Sequence, residues 1–123
     1  MAILVTGATG FLGQHVIENL VHQTRRIIIL VRPQSLERAR QMFSSYPHLE
    51  FLPGDLTESD IITDHAVFDK VKSSIHTVMH LAANYDLQGP KDKAYVSNVV
   101  GTHNMIHLLN SLPELQDFHY TVP

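Results

Sequence analysis

The chain has 123 residues, 44% hydrophobic and 17% charged, enough apolar material for one core, so residues 1–123 are expected to form a single domain. A formal net charge of −3 lacks the positive excess that phosphate backbones and anionic lipid attract, which argues against nucleic acid and membrane surfaces as partners. With no cysteine, no basic segment ahead of the first apolar run and no apolar run longer than Ile27 to Val31, the expected setting is the cytoplasm.

Ala2 to Thr6 is short, partly β-branched and stopped by glycine, the pattern of a buried strand. From Phe11 to about His22, Phe11, Leu12, Val16, Ile17, Leu20 and Val21 recur with helical spacing. The alternation repeats: "RIIILV" is a strand ended by Pro33, and Ser35 is placed to N-cap a helix over "LERARQMFSS", with Glu37 in its first turn. "HLEFLP" is a third, shorter strand. After "GDLTESD" comes a weak helical stretch through Val67, Phe68 and Val71, followed by a fourth strand, "IHTVMHLAA". "NYDLQGPKDK" is a loop. Ala94 to Leu112 is a long helix with Val96, Val99, Val100, His103, Ile106 and His107 along one stripe, and "DFHYTV" begins a fifth strand.

Strands that are near-continuous apolar runs separated by helices imply a parallel sheet covered on both faces. Right-handed crossovers then give a doubly wound α/β fold with strand order 3-2-1-4-5. Ligands of such sheets bind beyond the carboxyl ends of the strands, which directs attention to residues 6–13, 32–35, 54–57, 82–86 and 121 onward.

The stretch "LVTGATGFLGQHV" sets Gly7, Gly10 and Gly13 between the first strand and the first helix. A diphosphate needs backbone N–H donors, and the first turn of a helix offers them together with the positive end of its dipole. Gly7 permits the tight turn out of the strand, Gly10 removes a Cβ where a ligand must come close, and Gly13 lets the helix pack near the sheet. Thr9, Phe11 and Leu12 complete this cradle. A purely structural turn is the alternative. A P-loop would require lysine and then serine or threonine after the last glycine, where Gln14 and His15 stand.

"TGATGFLG", "GDL" at Gly54 to Leu56, "HLAA" at His80 to Ala83 and "NVVGT" at Asn98 to Thr102, in this order, resemble the extended short-chain dehydrogenase/reductases, which include epimerase/dehydratase-like enzymes. "LVRPQS" and "HLAANYDL" look most like the fatty acyl-CoA reductase and thioester reductase-like branch. The resemblance implies a Rossmann fold that binds NAD(P).

A carboxylate at the end of the second strand would bind the adenosine ribose and repel an added 2′-phosphate, but Arg32 stands there instead. A guanidinium pairs with phosphate, so NADP(H) is expected over NAD(H), with Ser35 assisting; a merely solvated arginine is the alternative. By resemblance Asp55 and Leu56 hold the adenine ring, the carboxylate accepting from the exocyclic amine, although Asp55 also fits a helix N-terminus. Ala82 and Ala83, again by resemblance, let the cofactor pass close to the backbone, and Tyr85 borders the substrate or anchors its loop. Asn98 matches the asparagine that organises a lysine and a proton-relay water in related enzymes.

The family's proton donor is a tyrosine assisted by lysine in Y-x-x-x-K, and no such spacing occurs in these 123 residues. Thr121 is near the place of the family's catalytic serine or threonine, but its surroundings depart from the pattern and it is not assigned. The expectation is therefore a chain that stops ahead of its catalytic helix. Nine histidines raise the question of a metal; His103 and His107 share a helix face but lack an intervening glutamate or a third ligand, and His80 reads as structural, on one strand face with His76. The leading reading is the NADP(H)-binding portion of a reductase that acts, when complete, on a small carbonyl or acyl-thioester-derived substrate. A non-catalytic NADP-sensing module is the alternative. Homodimerisation through the long helix or the fifth-strand edge is expected to accompany either.

Overall fold

The computed structural model describes residues 1–23, 26–81 and 103–120. Five parallel strands, β1 (Ala2–Thr6), β2 (Arg26–Val31), β3 (Glu50–Pro53), β4 (Ile75–His80) and β5 (Asp117–Tyr120), form one sheet in the order β3-β2-β1-β4-β5. The helices are α1 (Phe11–Leu20), α2 (Leu36–Met42), α3 (His65–Val71) and α4, whose described residues are 103–110. Single 3-10 turns, Pro33–Ser35 and Lys72–Ser74, precede α2 and β4. The expected doubly wound fold and strand order are the ones observed.

All five residues of β1 are buried because both faces of the sheet are covered. Successive side chains alternate, so Ala2 and Leu4 join Ile28, Leu30, Leu52, Val78 and residues of α3 and α4 in one apolar layer. Ile3 and Val5 join Ile27, Ile29, Val31 and residues of α1 and α2 in the other. Each fully buried leucine or isoleucine contributes about 2–3 kcal/mol. The exposed Arg26–Glu50 ion pair at the start of β2 and β3 is worth about 0–1 kcal/mol, so the apolar layers and not this pair hold the strands together.

Several local expectations are corrected. Ser35 does occupy the N-cap position of α2, but its side chain makes no capping bond, because Pro33 has already started a 3-10 turn whose geometry leads into the helix. That helix ends at Met42, and β3 starts at Glu50. Ala2 pairs with Ile75 and Ile3 with Thr77, so His76 is an extra residue, and Ile75 and Val78 fall in the same apolar layer. The even separation of His76 and His80 therefore does not place them on one regular strand face. In α4 the buried side chains are Asn104, Met105 and Leu108, while His103, Ile106 and His107 of the expected stripe are exposed, Ile106 by 53%. Residues 94–102 of the expected helix and 121–122 of the expected strand lie outside the described residues.

Two strands are tied at their carboxyl ends by buried polar groups. Thr6 Oγ1 and His80 Nδ1 share a 2.5 Å hydrogen bond, and the Leu81 N–H donates to the Thr6 carbonyl at 3.0 Å. The His80 ring stacks on Tyr120 with centroids 5.2 Å apart. Burial lowers the pKa of His80 below its ordinary 6.5 because the charged ring would be desolvated. The unfolded chain then binds this proton more readily than the folded one. The corresponding stability is present above pH 6.5 and is lost as pH falls from there through the lowered folded value. Denaturant midpoints measured from pH 8 to pH 5 are expected to fall more steeply in the unmodified chain than in His80→Gln; equal slopes would remove His80 as the cause.

Candidate functional site

The carboxyl ends of β1, β2 and β3 each open into a short segment carrying candidate residues. Behind β1, Gly7 has φ of 76°, the one positive φ among the described residues, and turns the chain sharply. Its carbonyl accepts from the Gly10 N–H at 3.2 Å. Gly10 is the N-cap of α1 with extended backbone (φ −76°, ψ 173°), and neither a side-chain cap nor an acidic residue attends the first turn. Phe11 opens the helix, Thr9 is half-buried and Leu12 is 51% exposed.

The three glycines have separable reasons. A Cβ on Gly13 would lie 2.2 Å from the Gly7 carbonyl oxygen and 2.5 Å from Ala8 Cα, so α1 can sit this close to the turn only without a side chain there. Among the described residues a Cβ on Gly10 would meet only the Gly7 oxygen, at an ordinary 3.5 Å. The positive φ at 7 and the close packing at 13 thus require glycine, while no contact among the described residues requires it at 10.

Arg32 follows β2 directly and is exposed, with its carbonyl accepting from the Ser35 N–H at 2.9 Å, so both residues stand in one turn. Behind β3, the Gly54 N–H donates to the Val31 carbonyl at 2.9 Å and the Asp55 N–H to the Ile61 carbonyl at 2.8 Å. These bonds carry Asp55 to the edge of the sheet beside the end of β2. Asp55 Oδ1 accepts from the Thr57 N–H at 2.9 Å and from the Thr57 hydroxyl at 2.6 Å, and half-buried Leu56 packs on the apolar layer below. The structure therefore brings Gly7, Thr9, Gly10, Phe11, Leu12, Gly13, Arg32, Ser35, Asp55 and Leu56 to the carboxyl edge of the sheet. Ala82, Ala83, Tyr85, Asn98 and Thr121 lie outside the described residues.

Asn104 is a residue that sequence reasoning missed. It is 4% exposed, and its side-chain amide donates to the Leu56 carbonyl at 2.7 Å across 48 positions of sequence. Leaving such a buried amide unpaired costs about 1–3 kcal/mol, so this bond is a condition of α4 packing here. The one available signal was a polar residue at helical spacing from Leu108 and Leu112. A cavity of about 200 Å³ between α3 and α4 is lined partly by Ile61, Phe68, Asn104 and Leu108, and none of the candidate cofactor residues forms its walls. His103 and His107 meet edge to face with centroids 5.1 Å apart, and among the described residues no group of three or more His, Asp or Glu is placed to hold a metal.

Residues 5–122 match the NAD-binding family described as Male sterility protein. The chain belongs to that family. It is a member of the extended short-chain dehydrogenase/reductases, in their thioester reductase-like branch. Among curated relatives, the 3 beta-hydroxysteroid dehydrogenase/Delta 5-->4-isomerase of Mycobacterium tuberculosis is 30% identical over 126 residues, covering 97% of this chain and 30% of that protein. The terminal R domain from the myxalamid PKS-NRPS pathway superposes with TM-score 0.76 at 28% identity, over 97% of this chain and 33% of that one. Yeast methylglyoxal/isovaleraldehyde reductase Gre2, solved with NADPH, has the same fold at TM-score 0.80 and 21% identity, over 98% of this chain and 36% of that one. The chain thus spans about a third of the length of these relatives. It is the NAD(P)-binding domain of a short-chain dehydrogenase/reductase-type protein, and these matches favour the reductase reading over the non-catalytic sensor.

The glycine geometry predicts different outcomes for alanine at positions 10 and 13. Gly10→Ala is expected to keep the wild-type melting temperature within about 2 °C while weakening NADPH binding by at least about tenfold. Gly13→Ala is expected to lose about 1–3 kcal/mol of stability through overpacking. Calorimetric melting beside NADPH titration checks both; a Gly10→Ala protein that binds as the wild type does would remove the ligand-approach role of that position.

Proposed function

We propose that this chain is a single domain holding NADP(H), in preference to NAD(H), for a reductase acting on a carbonyl or acyl-thioester-derived substrate. The observation that carries the reading is Gly10: a helix start with room for a side chain among the described residues, no side-chain capping bond and no acidic residue in its first turn. Such a start suits a ligand that brings its own negative charge. The N–H groups opening α1 would hold the diphosphate, Gly10 giving it access and Thr9, Phe11 and Leu12 bordering it. Asp55 and Leu56 would hold the adenine, with Ala82 and Ala83 beside the cofactor's path. Arg32, with Ser35 in the same turn, would pair with the 2′-phosphate. When bound, the cofactor supplies hydride to an electrophilic carbon.

Asn98, by its match to the asparagine that organises a lysine and a proton-relay water, would take a supporting role in catalysis by the complete protein; Y-x-x-x-K itself does not occur among these 123 residues. R domains among the relatives, together with "LVRPQS" and "HLAANYDL", support the acyl-thioester substrate class. No helix among the described residues is long and apolar enough to cross a membrane, and a cytoplasmic setting is part of the same proposal. So is a homodimer formed through the long helix or the edge of β5.

Dissociation constants for NADPH and NADH test the cofactor assignment. Arg32→Ala is expected to weaken NADPH about 10- to 100-fold, the size of a charge-assisted contact, and to change NADH less than about threefold. A selectivity ratio that stays at the wild-type value would refute the phosphate role of Arg32.

A further inference from the structure

We propose that Asn104 is a positioning residue for the adenine end of the cofactor site, acting through the peptide between Leu56 and Thr57 upon Asp55. The inference rests on the reading of Asp55 as the adenine contact. The carbonyl of that peptide accepts from Asn104 Nδ2 at 2.7 Å, and its N–H donates to Asp55 Oδ1 at 2.9 Å. In a planar trans peptide the C=O and N–H point in opposite directions, so holding the carbonyl on the α4 side aims the N–H at the carboxylate.

The consequence lies in how the carboxylate is used. Both loop bonds, from the Thr57 N–H and hydroxyl, fall on Oδ1, so the acceptor capacity of Oδ2 is not committed within the loop. An exocyclic amine is a donor that this oxygen can take. The remaining freedom of the segment is already restricted, because the Gly54 and Asp55 N–H groups bond to Val31 and Ile61 and the Leu56 side chain packs on the core. The Glu58 N–H closes a turn on the Asp55 carbonyl at 3.1 Å around the 56–57 peptide, and the buried amide of Asn104 adds a bond from α4 to the carbonyl of that peptide. A solvent-exposed donor would meet competition from water; at 4% exposure Asn104 does not.

The test compares NADPH with its hypoxanthine analogue, in which a carbonyl replaces the exocyclic amine. The unmodified chain is expected to bind NADPH about tenfold more tightly than the analogue. In Asn104→Leu that ratio is expected to shrink to about twofold, through weaker NADPH binding with the analogue little changed. Asp55→Ala is expected to abolish the discrimination, and adding Asn104→Leu in that background should leave the ratio where it is. An unchanged ratio in Asn104→Leu, or equal weakening of both ligands, overturns the positioning role. Failure of the unmodified chain to bind either ligand overturns the dinucleotide reading instead. Should Asn104→Leu not fold, hydrogen exchange of the Thr57 amide in the unmodified chain decides the matter: strong protection supports the relay, and exchange at open-loop rates overturns it.

Discussion

The seat of α1 on the turn behind β1 is the contact on which the rest of this edge depends. The Gly7 carbonyl oxygen would lie 2.2 Å from any Cβ at position 13, and the same oxygen receives the Gly10 N–H at 3.2 Å. One carbonyl therefore fixes both the height of the helix above the sheet and the point at which it starts. Because Thr6 immediately precedes this turn and is bonded through side chain and backbone to His80 and Leu81, the turn is held on the β4 side as well. A chain with alanine at 13 would have to lift the helix from the turn, and the donors of its first turn would move with it.

Parallel strands put all their carboxyl ends on one edge, and that geometry concentrates the candidate residues although they are spread over fifty positions. The turn behind β1, the Arg32 turn behind β2 and the Asp55 loop behind β3 sit side by side because the order is β3-β2-β1-β4-β5. Backbone bonds reinforce the neighbourhood: the Gly54 N–H reaches the end of β2 at Val31. Asn104 adds a link from the layer on which Leu56 packs, tying α4 to the same loop.

The strands and their order were legible because burial on both faces leaves little but aliphatic residues, as in "AILVT" and "RIIILV". The glycine triplet was legible as a turn and helix start, and its three separate reasons follow from chemistry that spacing alone can state. What escaped was tertiary. In α4, aliphatic and histidine positions suggested one face, yet Asn104, Met105 and Leu108 are the buried ones. A buried asparagine cannot be distinguished in sequence from a solvated one, since its partner is a carbonyl 48 residues away. His76 escaped for a similar reason, because a bulge depends on the pairing partner. Ser35 had the right position and the wrong bond, since Pro33 starts the turn earlier than a helix-capping rule allows for.

Positions that structural need leaves unexplained carry the best information about function in a fold this regular. Gly7 has a positive φ and Gly13 no room for a side chain, so their presence follows from folding alone. Gly10 has an ordinary backbone conformation and, among the described residues, an acceptable 3.5 Å neighbour for a Cβ, so no packing contact described demands glycine there. Arg32 is a charged, exposed residue immediately after a strand of five buried aliphatics, and Asp55 commits one oxygen to its loop while the other is left to outside donors. A surface under no demand beyond folding has no reason to collect these three on one edge. The NADP(H) that we propose for this edge would make all three demands together, for close approach of a diphosphate, a cation for its 2′-phosphate, and an acceptor for an aromatic amine.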